Sequence, residues 1–208
     1  MVTNEELLRS QWSALRGWIE SSGLLQHAQE QSVLEAWNVH ELVTHIGRSF
    51  LDIPLLGPAP ATDPLSLRQW IADYGAAARE IADGTKQLAR SFSSDVLAGI
   101  DNCARLGFRA LDALRTDVVR GPRGAITRDD FIITRLIELV VHGDDLARSV
   151  PAVAAPPLLD PPVAAVSSAL AQAYAEVTGR DPDVGDHLEW IRAATGRAAS
   201  EDSSLPLL

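Results

Sequence analysis

One cysteine in 208 residues, Cys103, excludes an intramolecular disulfide and fits a reducing compartment. It falls mid-pattern in a helical stretch between Ile100 and Leu106, where a small apolar side chain fills a core. Long apolar runs are also missing, and none approaches the roughly 18 residues that a bilayer-crossing helix needs. The N-terminus opens Thr3-Asn-Glu-Glu and lacks the charged-then-apolar order of a signal peptide. These absences lead to the expectation of a soluble, cytoplasmic protein. Basic residues are scarce relative to acids: 18 Lys and Arg against 28 Asp and Glu, a formal net charge of −10. Nucleic acids and anionic membranes are bound mainly through Lys and Arg, so neither is expected as a partner. No convincing strand pattern and no internal repeat is present.

What the chain does hold is helical periodicity, over a length that buries a substantial core in one large domain or one domain with a small appendage. Thr3 and Glu6 form a capping box for a helix from about Asn4 to Glu20, with Leu8, Trp12, Leu15, Trp18 and Ile19 on its inner stripe. Asn38 and Glu41 form a second box ahead of Leu42, Val43 and Ile46. His45 lies in that short helix. His40, five residues earlier, stands about 140° away round the helix and is expected to be solvated. Residues 51–64 carry four prolines and read as an irregular surface crossing. Asp63 or Ser66 caps the next helix, which carries Trp70, Ile71, Tyr74, Ile81 and Leu88, with a kink or break allowed at Gly84. Ser93-Ser94 breaks that pattern. A helix from about Asp95 to Leu114 follows, with Gly107 on its apolar stripe, where a neighbour is expected to approach closely. A turn at Gly121-Pro-Arg-Gly124 precedes Thr127, the cap of the central helix, which runs to Pro151 with Arg148 complementing the helix dipole in its last turn. Residues 151–162 hold five prolines and read as a semi-rigid linker. Beyond it, 163–177 and a shorter stretch around His187 to Ala194 are helical in pattern, and 198–208 is expected to be loose until its apolar end. The fold class is therefore all-α: a helical bundle over 1–150, then a Pro-rich linker and short helical C-terminal extension over 151–208. Five tryptophans read first as core and leave a homodimer open.

Chemistry concentrates in Arg135-Leu-Ile-Glu138-Leu-Val-Val-His142-Gly-Asp-Asp145-Leu. Glu138 and His142, four residues apart, share one helical face inside an almost wholly apolar run. A helix apolar on nearly all sides lies deep in a bundle, and charged groups there need a partner. A metal ion is one such partner, and an ion pair with Arg135 is another. His45, also on an apolar face, would complete the three protein ligands of an open zinc site, with water or substrate in the fourth position.

The segments Trp37-Asn-Val-His40-Glu41-Leu-Val-Thr-His45-Ile and Arg135 to Leu146 resemble the two signatures of the mycothiol-dependent maleylpyruvate isomerase family, within the wider DinB-like metalloenzyme superfamily. The resemblance covers residues 4–150, and the ending Trp190-Ile-Arg-Ala-Ala-Thr-Gly-Arg197 is similar to C-terminal segments of some relatives. It implies a DinB-like up-down helical bundle in which His45, Glu138 and His142 bind a divalent metal, zinc before others. Arg135 and Asp145 flank these ligands. Asp145 is placed to orient His142, and Arg135 to pair with Glu138 or Asp145. The resemblance also implies mycothiol as cosubstrate. A free thiol near neutral pH is mostly protonated, whereas a coordinating metal holds it as the nucleophilic thiolate. Addition to a small electrophilic substrate then gives S-transfer, or isomerisation when elimination follows. A metal-dependent amide hydrolase of thiol conjugates and a non-catalytic metal-binding bundle are the alternatives. The segment after the linker is shorter than the full C-terminal domain of the isomerase, so residues that would hold a dicarboxylate substrate are not matched.

Overall fold

A computed structural model describes residues 2–72, 74–92, 94–154 and 157–208. Within them lie helices α1 (Asn4–Ser21), α2 (Val39–Arg48), α3 (Leu67–Ile71), α4 (Tyr74–Ser91), α5 (Val96–Ala113), α6 (Arg128–Ser149), α7 (Asp160–Thr178) and α8 (His187–Ala194). The helix starts follow local chemistry. Both halves of the capping box are formed by Thr3 with Glu6 and by Asn38 with Glu41. Ser66, not Asp63, caps α3, and Thr127 caps α6 by accepting from the Asp130 N–H. Among the described residues no helix is long and apolar enough to cross a membrane.

Helix α6 is the axis of the molecule. Fifteen of its 22 residues are buried, on every side, because α1, α2, α3 and α7 all pack against it. Helix α2 is wedged between α6 and α5, and two glycines allow the fit. A Cβ at Gly47 would stand 2.6 Å from Ile100 Cγ2, and one at Gly107 would stand 2.9 Å from the Phe50 carbonyl oxygen. The close approach read at Gly107 is therefore made by the 3-10 turn Ser49–Leu55 that follows α2.

Three features depart from the sequence reading. First, the Gly121–Gly124 turn closes a small hairpin, with β2 (Val118–Gly121) antiparallel to β3 (Gly124–Thr127) and to β1 (Gly57–Pro58). Strands of two to four residues are too short to display a period of two, so no pattern could announce them. Second, α4 runs through Gly84 without interruption, and α3 ends at Ile71, ahead of the start of α4 at Tyr74. Of the expected break at Ser93-Ser94, residue 93 lies outside the described residues.

The third departure concerns the tail, which is tied down at Asp202, ahead of the apolar end that was expected to be held. Leu207 is buried, its N–H donates to the Ala194 carbonyl, and Asp202 accepts from Tyr174 and Arg180. Leu207 joins Val166, Leu170, Trp190 and Ile191 in one apolar cluster with α1 and α6. Around the Pro-rich stretch, of which 155–156 lie outside the described residues, Trp18 Nε1 donates to the Ala154 carbonyl at 2.8 Å. The fully buried Gln11 bridges the Pro157 carbonyl and the Leu159 N–H.

Candidate metal centre

The capping box at Asn38 fixes where α2 begins, which turns its second-turn His45 inward together with Leu42 and Ile46. Opposite it, α6 presents Glu138 and His142 one turn apart. Glu138 Oε2 lies 3.1 Å from His45 Nε2 and 3.2 Å from His142 Nε2. One ligand atom from each of the three residues falls within 4.8 Å of the others. Both histidines are buried, and the Glu138 side chain is 13% exposed.

The far nitrogen of each imidazole is tethered. His142 Nδ1 donates to Asp145 Oδ2 at 3.0 Å, and His45 Nδ1 lies 3.3 Å from Thr85 Oγ1 on α4. Trp37 stacks on the His45 ring with centroids 4.4 Å apart. Its own backbone carbonyl accepts from Ser32 and Gln31 and pins the loop ahead of α2. The two rings meet edge to face, with both Nε2 atoms turned toward the carboxylate.

Electrostatics follow from this packing. Burial pushes His45 down to about 4, against the pull of Glu138. Burial also acts to raise the Glu138 carboxyl, yet hydrogen bonds from His142 and His45 outweigh it and hold the group well below the usual carboxylate range. His142 is buried too, but Asp145 and Glu138 together raise it above its ordinary value.

Asp145 is fully buried, and its Oδ2 accepts from His142 and from Arg197 Nη2 at 3.2 Å, while among the described residues its Oδ1 has no hydrogen-bond partner and faces Arg148 Nη1 at 3.9 Å. Arg135 does not pair with Glu138 or Asp145 as the sequence suggested. Its guanidinium points the other way, donating to Asp52 Oδ2 at 2.8 Å, the Ser49 carbonyl at 3.0 Å, Thr134 Oγ1 and Tyr74 Oη. Asp145 stands ten residues, nearly three turns, further along α6, and Asp52 from the 3-10 segment takes the guanidinium that would otherwise be free for Glu138, three residues on. His40 is also corrected: it is half-buried, with Nε2 3.1 Å from the Ala89 carbonyl on α4, because α4 covers the flank that the sequence left open. Cys103 is buried in α5, where burial pushes its thiol up, consistent with a core filler.

A cleft of about 260 Å³ opens beside the trio, lined by Tyr74, Ile137, Glu138, Val141, His142, Arg197 and Leu208 among others. Thr85, Tyr74 and Arg197 were not singled out as site residues in the sequence. Thr85 and Tyr74 sit in a helix whose register to α2 no pattern encodes, and Arg197 belongs to a segment distant in sequence. Only the similar C-terminal ending hinted at it.

Two imidazole nitrogens and one carboxylate oxygen are a zinc-type donor set. Ligands about 2.0–2.2 Å from a tetrahedral ion stand about 3.3–3.6 Å from one another, so the two spacings from Glu138, 3.1 and 3.2 Å, need only a small adjustment. The tethered Nδ1 atoms leave Nε2 as the coordinating nitrogen of each ring. The donor set suits a divalent cation, which His45, Glu138 and His142 would hold, and Glu138 and His142 also line the cleft.

In comparisons with known proteins, the family model described as mycothiol maleylpyruvate isomerase N-terminal domain matches residues 8–147. No curated protein and no solved structure matches the chain.

Proposed function

The chain belongs to the mycothiol maleylpyruvate isomerase N-terminal domain family, and from that premise we propose a zinc-dependent enzyme of low-molecular-weight thiol chemistry. The observation that carries the reading is the convergence of His45, Glu138 and His142 from two helices, with Glu138 and His142 lining a cleft. The thiol itself is taken from the family, whose name specifies mycothiol.

In this reading those three residues hold the metal, with Glu138 supplying the one formal negative charge. A bound divalent metal lowers the pKa of a coordinating thiol, so that it reacts as the thiolate near neutral pH. The chain contributes orientation. Asp145 fixes the tautomer and tilt of His142, Thr85 tethers the His45 ring at Nδ1, and Trp37 covers the face of that ring. Ile137 and Val141 give the cleft apolar walls that displace water from an incoming electrophile, and Arg197 brings a cation to its rim. The sulfur of the thiol, its proton already given to solvent, would bond to one carbon of an activated double bond. The π bond breaks as it does so, and its electron pair moves onto the adjacent carbonyl as an enolate, which solvent protonates where the adduct is kept. Retention of that bond is transfer, and its loss after rotation is isomerisation.

Metal analysis of zinc-supplemented protein tests the site: one equivalent is expected in the wild type and none in His45→Ala or Glu138→Gln. The visible spectrum of the cobalt-substituted protein then tests the thiol and should change on addition of mycothiol. A wild-type protein without stoichiometric metal would sink the whole reading. A cobalt spectrum indifferent to mycothiol would leave only a metal-binding bundle.

A further inference from the structure

Helix α4 is fastened by one of its halves. Its two buried residues, Thr85 and Ala89, both lie after Gly84. There Thr85 Oγ1 lies 3.3 Å from His45 Nδ1 and the Ala89 carbonyl 3.1 Å from His40 Nε2, so this half is tied to α2. The half before Gly84, Tyr74 to Asp83, buries no side chain completely. Tyr74, Ile81 and Ala82 touch the core from partly exposed positions.

The cause lies beneath the segment, where each inner flank borders a cavity. Tyr74, Gly75 and Ala78 wall the metal cleft of about 260 Å³ together with Glu138 and His142. Ala77, Glu80 and Ile81 wall a second space, of about 240 Å³, together with Phe131 and Arg135. At about 100° per residue these two sets occupy adjacent arcs of the helix. The outer arc, Ala76, Arg79 and Asp83, is exposed. Close packing, which would otherwise hold the segment, is replaced by empty space on both flanks.

What remains is Tyr74. Its hydroxyl accepts from Arg135 Nη2 at 3.0 Å, and its ring carries the Arg123 guanidinium at 4.5 Å. Among the described residues this is the one side-chain hydrogen bond of Tyr74 to Asp83. A helical segment of this length without tertiary packing is marginal in water even when rich in alanine. Gly75 and Gly84 loosen it further at its two ends. Neither glycine is demanded by a close approach: a Cβ at Gly75 would meet nothing within 4 Å, and one at Gly84 would meet the Arg48 side chain at an ordinary 3.6 Å.

We propose that Tyr74 to Asp83 is a lid that opens as a local unit, with Gly84 as its boundary and Tyr74 as its latch, and that its opening admits the reactants to the metal cleft. The anchored half keeps Thr85 on His45, so the three metal-binding side chains stay in place while the cleft widens. Opening is a property of the chain alone, whereas the gating role rests on the metal reading above.

Amide exchange followed residue by residue by NMR tests the lid, on metal-free and on zinc-supplemented wild-type protein. Protection factors for 78–83 are expected to be at least tenfold lower than for 88–91, whose helical acceptors lie at or beyond Gly84. Tyr74→Phe removes the latching hydroxyl and keeps the ring; it should lower protection of 78–83 at least threefold further and leave 88–91 unchanged. Gly84→Ala should raise protection of 78–83 at least threefold. The gate is read from the rate at which excess chelator strips zinc. That rate should rise in Tyr74→Phe and fall in Gly84→Ala by similar factors at unchanged zinc affinity, because a gate alters entry and exit alike. Equal protection in the two halves of α4, or protection of 78–83 indifferent to Tyr74→Phe, would overturn the lid. Zinc removal indifferent to both variants would overturn its role as a gate. Protein that takes up no zinc fails the metal reading instead, and exchange in the metal-free protein still decides whether the lid exists.

Discussion

His142 Nδ1 and Asp145 Oδ2 are 3.0 Å apart on successive turns of α6, in a hydrogen bond from which water is excluded. The bond commits Nδ1 to donation and leaves Nε2 facing Glu138, so Asp145 sets which nitrogen of His142 is offered to a cation. Arg197, whose guanidinium nitrogens lie 3.2 and 3.4 Å from the same oxygen, holds the carboxylate in turn.

The first prediction concerns Asp145→Asn, which keeps the volume of the side chain but removes its charge. Loss of an orienting carboxylate behind a metal-binding histidine typically lowers metal affinity about 10–100-fold. Competition against a chromophoric chelator should show a decrease of that size with helical content retained. Unchanged affinity would assign Asp145 to Arg197 alone.

Zinc should also stabilise the fold, because the three ligands come from helices brought together only in the native state. At a free concentration 100 times Kd the gain is about 2.7 kcal/mol. For a protein of this size that corresponds to roughly 5–11 °C in melting temperature. Thermal scans with and without zinc should show the rise in the wild type and none in Glu138→Gln. A rise of equal size in that variant would place the zinc elsewhere.

How far the site could be read ahead depended on whether its partners lay on one helix. Glu138 and His142 were visible as a pair because 3.6 residues per turn stacks them, and Asp145 was singled out by the family resemblance, its spacing only placing it near His142. The inward direction of His45 was visible in the apolar stripe of α2. Residues that act across elements were not visible. Thr85 reaches His45 from α4, Asp52 takes Arg135 from the 3-10 turn, and α4 covers His40. Each depends on a packing register that no local periodicity carries. The caps at Thr3, Asn38 and Thr127 were legible because they depend only on neighbours three residues away. The hairpin at 118–127 escaped because its strands are shorter than the pattern used to find strands.

Two glycines should respond to alanine with opposite signs. A methyl group at Gly47 would meet Ile100 Cγ2 at 2.6 Å and the Ile100 Cα at 2.9 Å, and a helix backbone cannot step aside. Gly47→Ala should therefore cost about 1–3 kcal/mol in chemical denaturation, as overpacked cores do. At Gly17, inside α1, nothing lies within 4 Å of the added methyl group. Gly17→Ala should stabilise by about 0.5–1 kcal/mol through lower backbone entropy of the unfolded chain and better helix propensity. The same sign for both would contradict the tight α2–α5 contact that seats His45.

Arg135 is the residue on which a structural and a catalytic role are easiest to separate. It lies one turn before Glu138 but sends its donors to Asp52, Ser49, Thr134 and Tyr74, away from the histidines. Arg135→Lys preserves charge but replaces a planar fork with a point cation, which cannot serve four acceptors in those directions. Breaking a fully buried pair costs about 3–5 kcal/mol, and a smaller loss, about 1–3 kcal/mol, is expected here because Asp52 is 42% exposed and retains water. Metal content should stay at that of the wild type, since His45, Glu138 and His142 keep their own tethers. Denaturant midpoints and metal analysis on the same preparation check both statements. Lost metal with unchanged stability would move Arg135 from the scaffold into the metal centre.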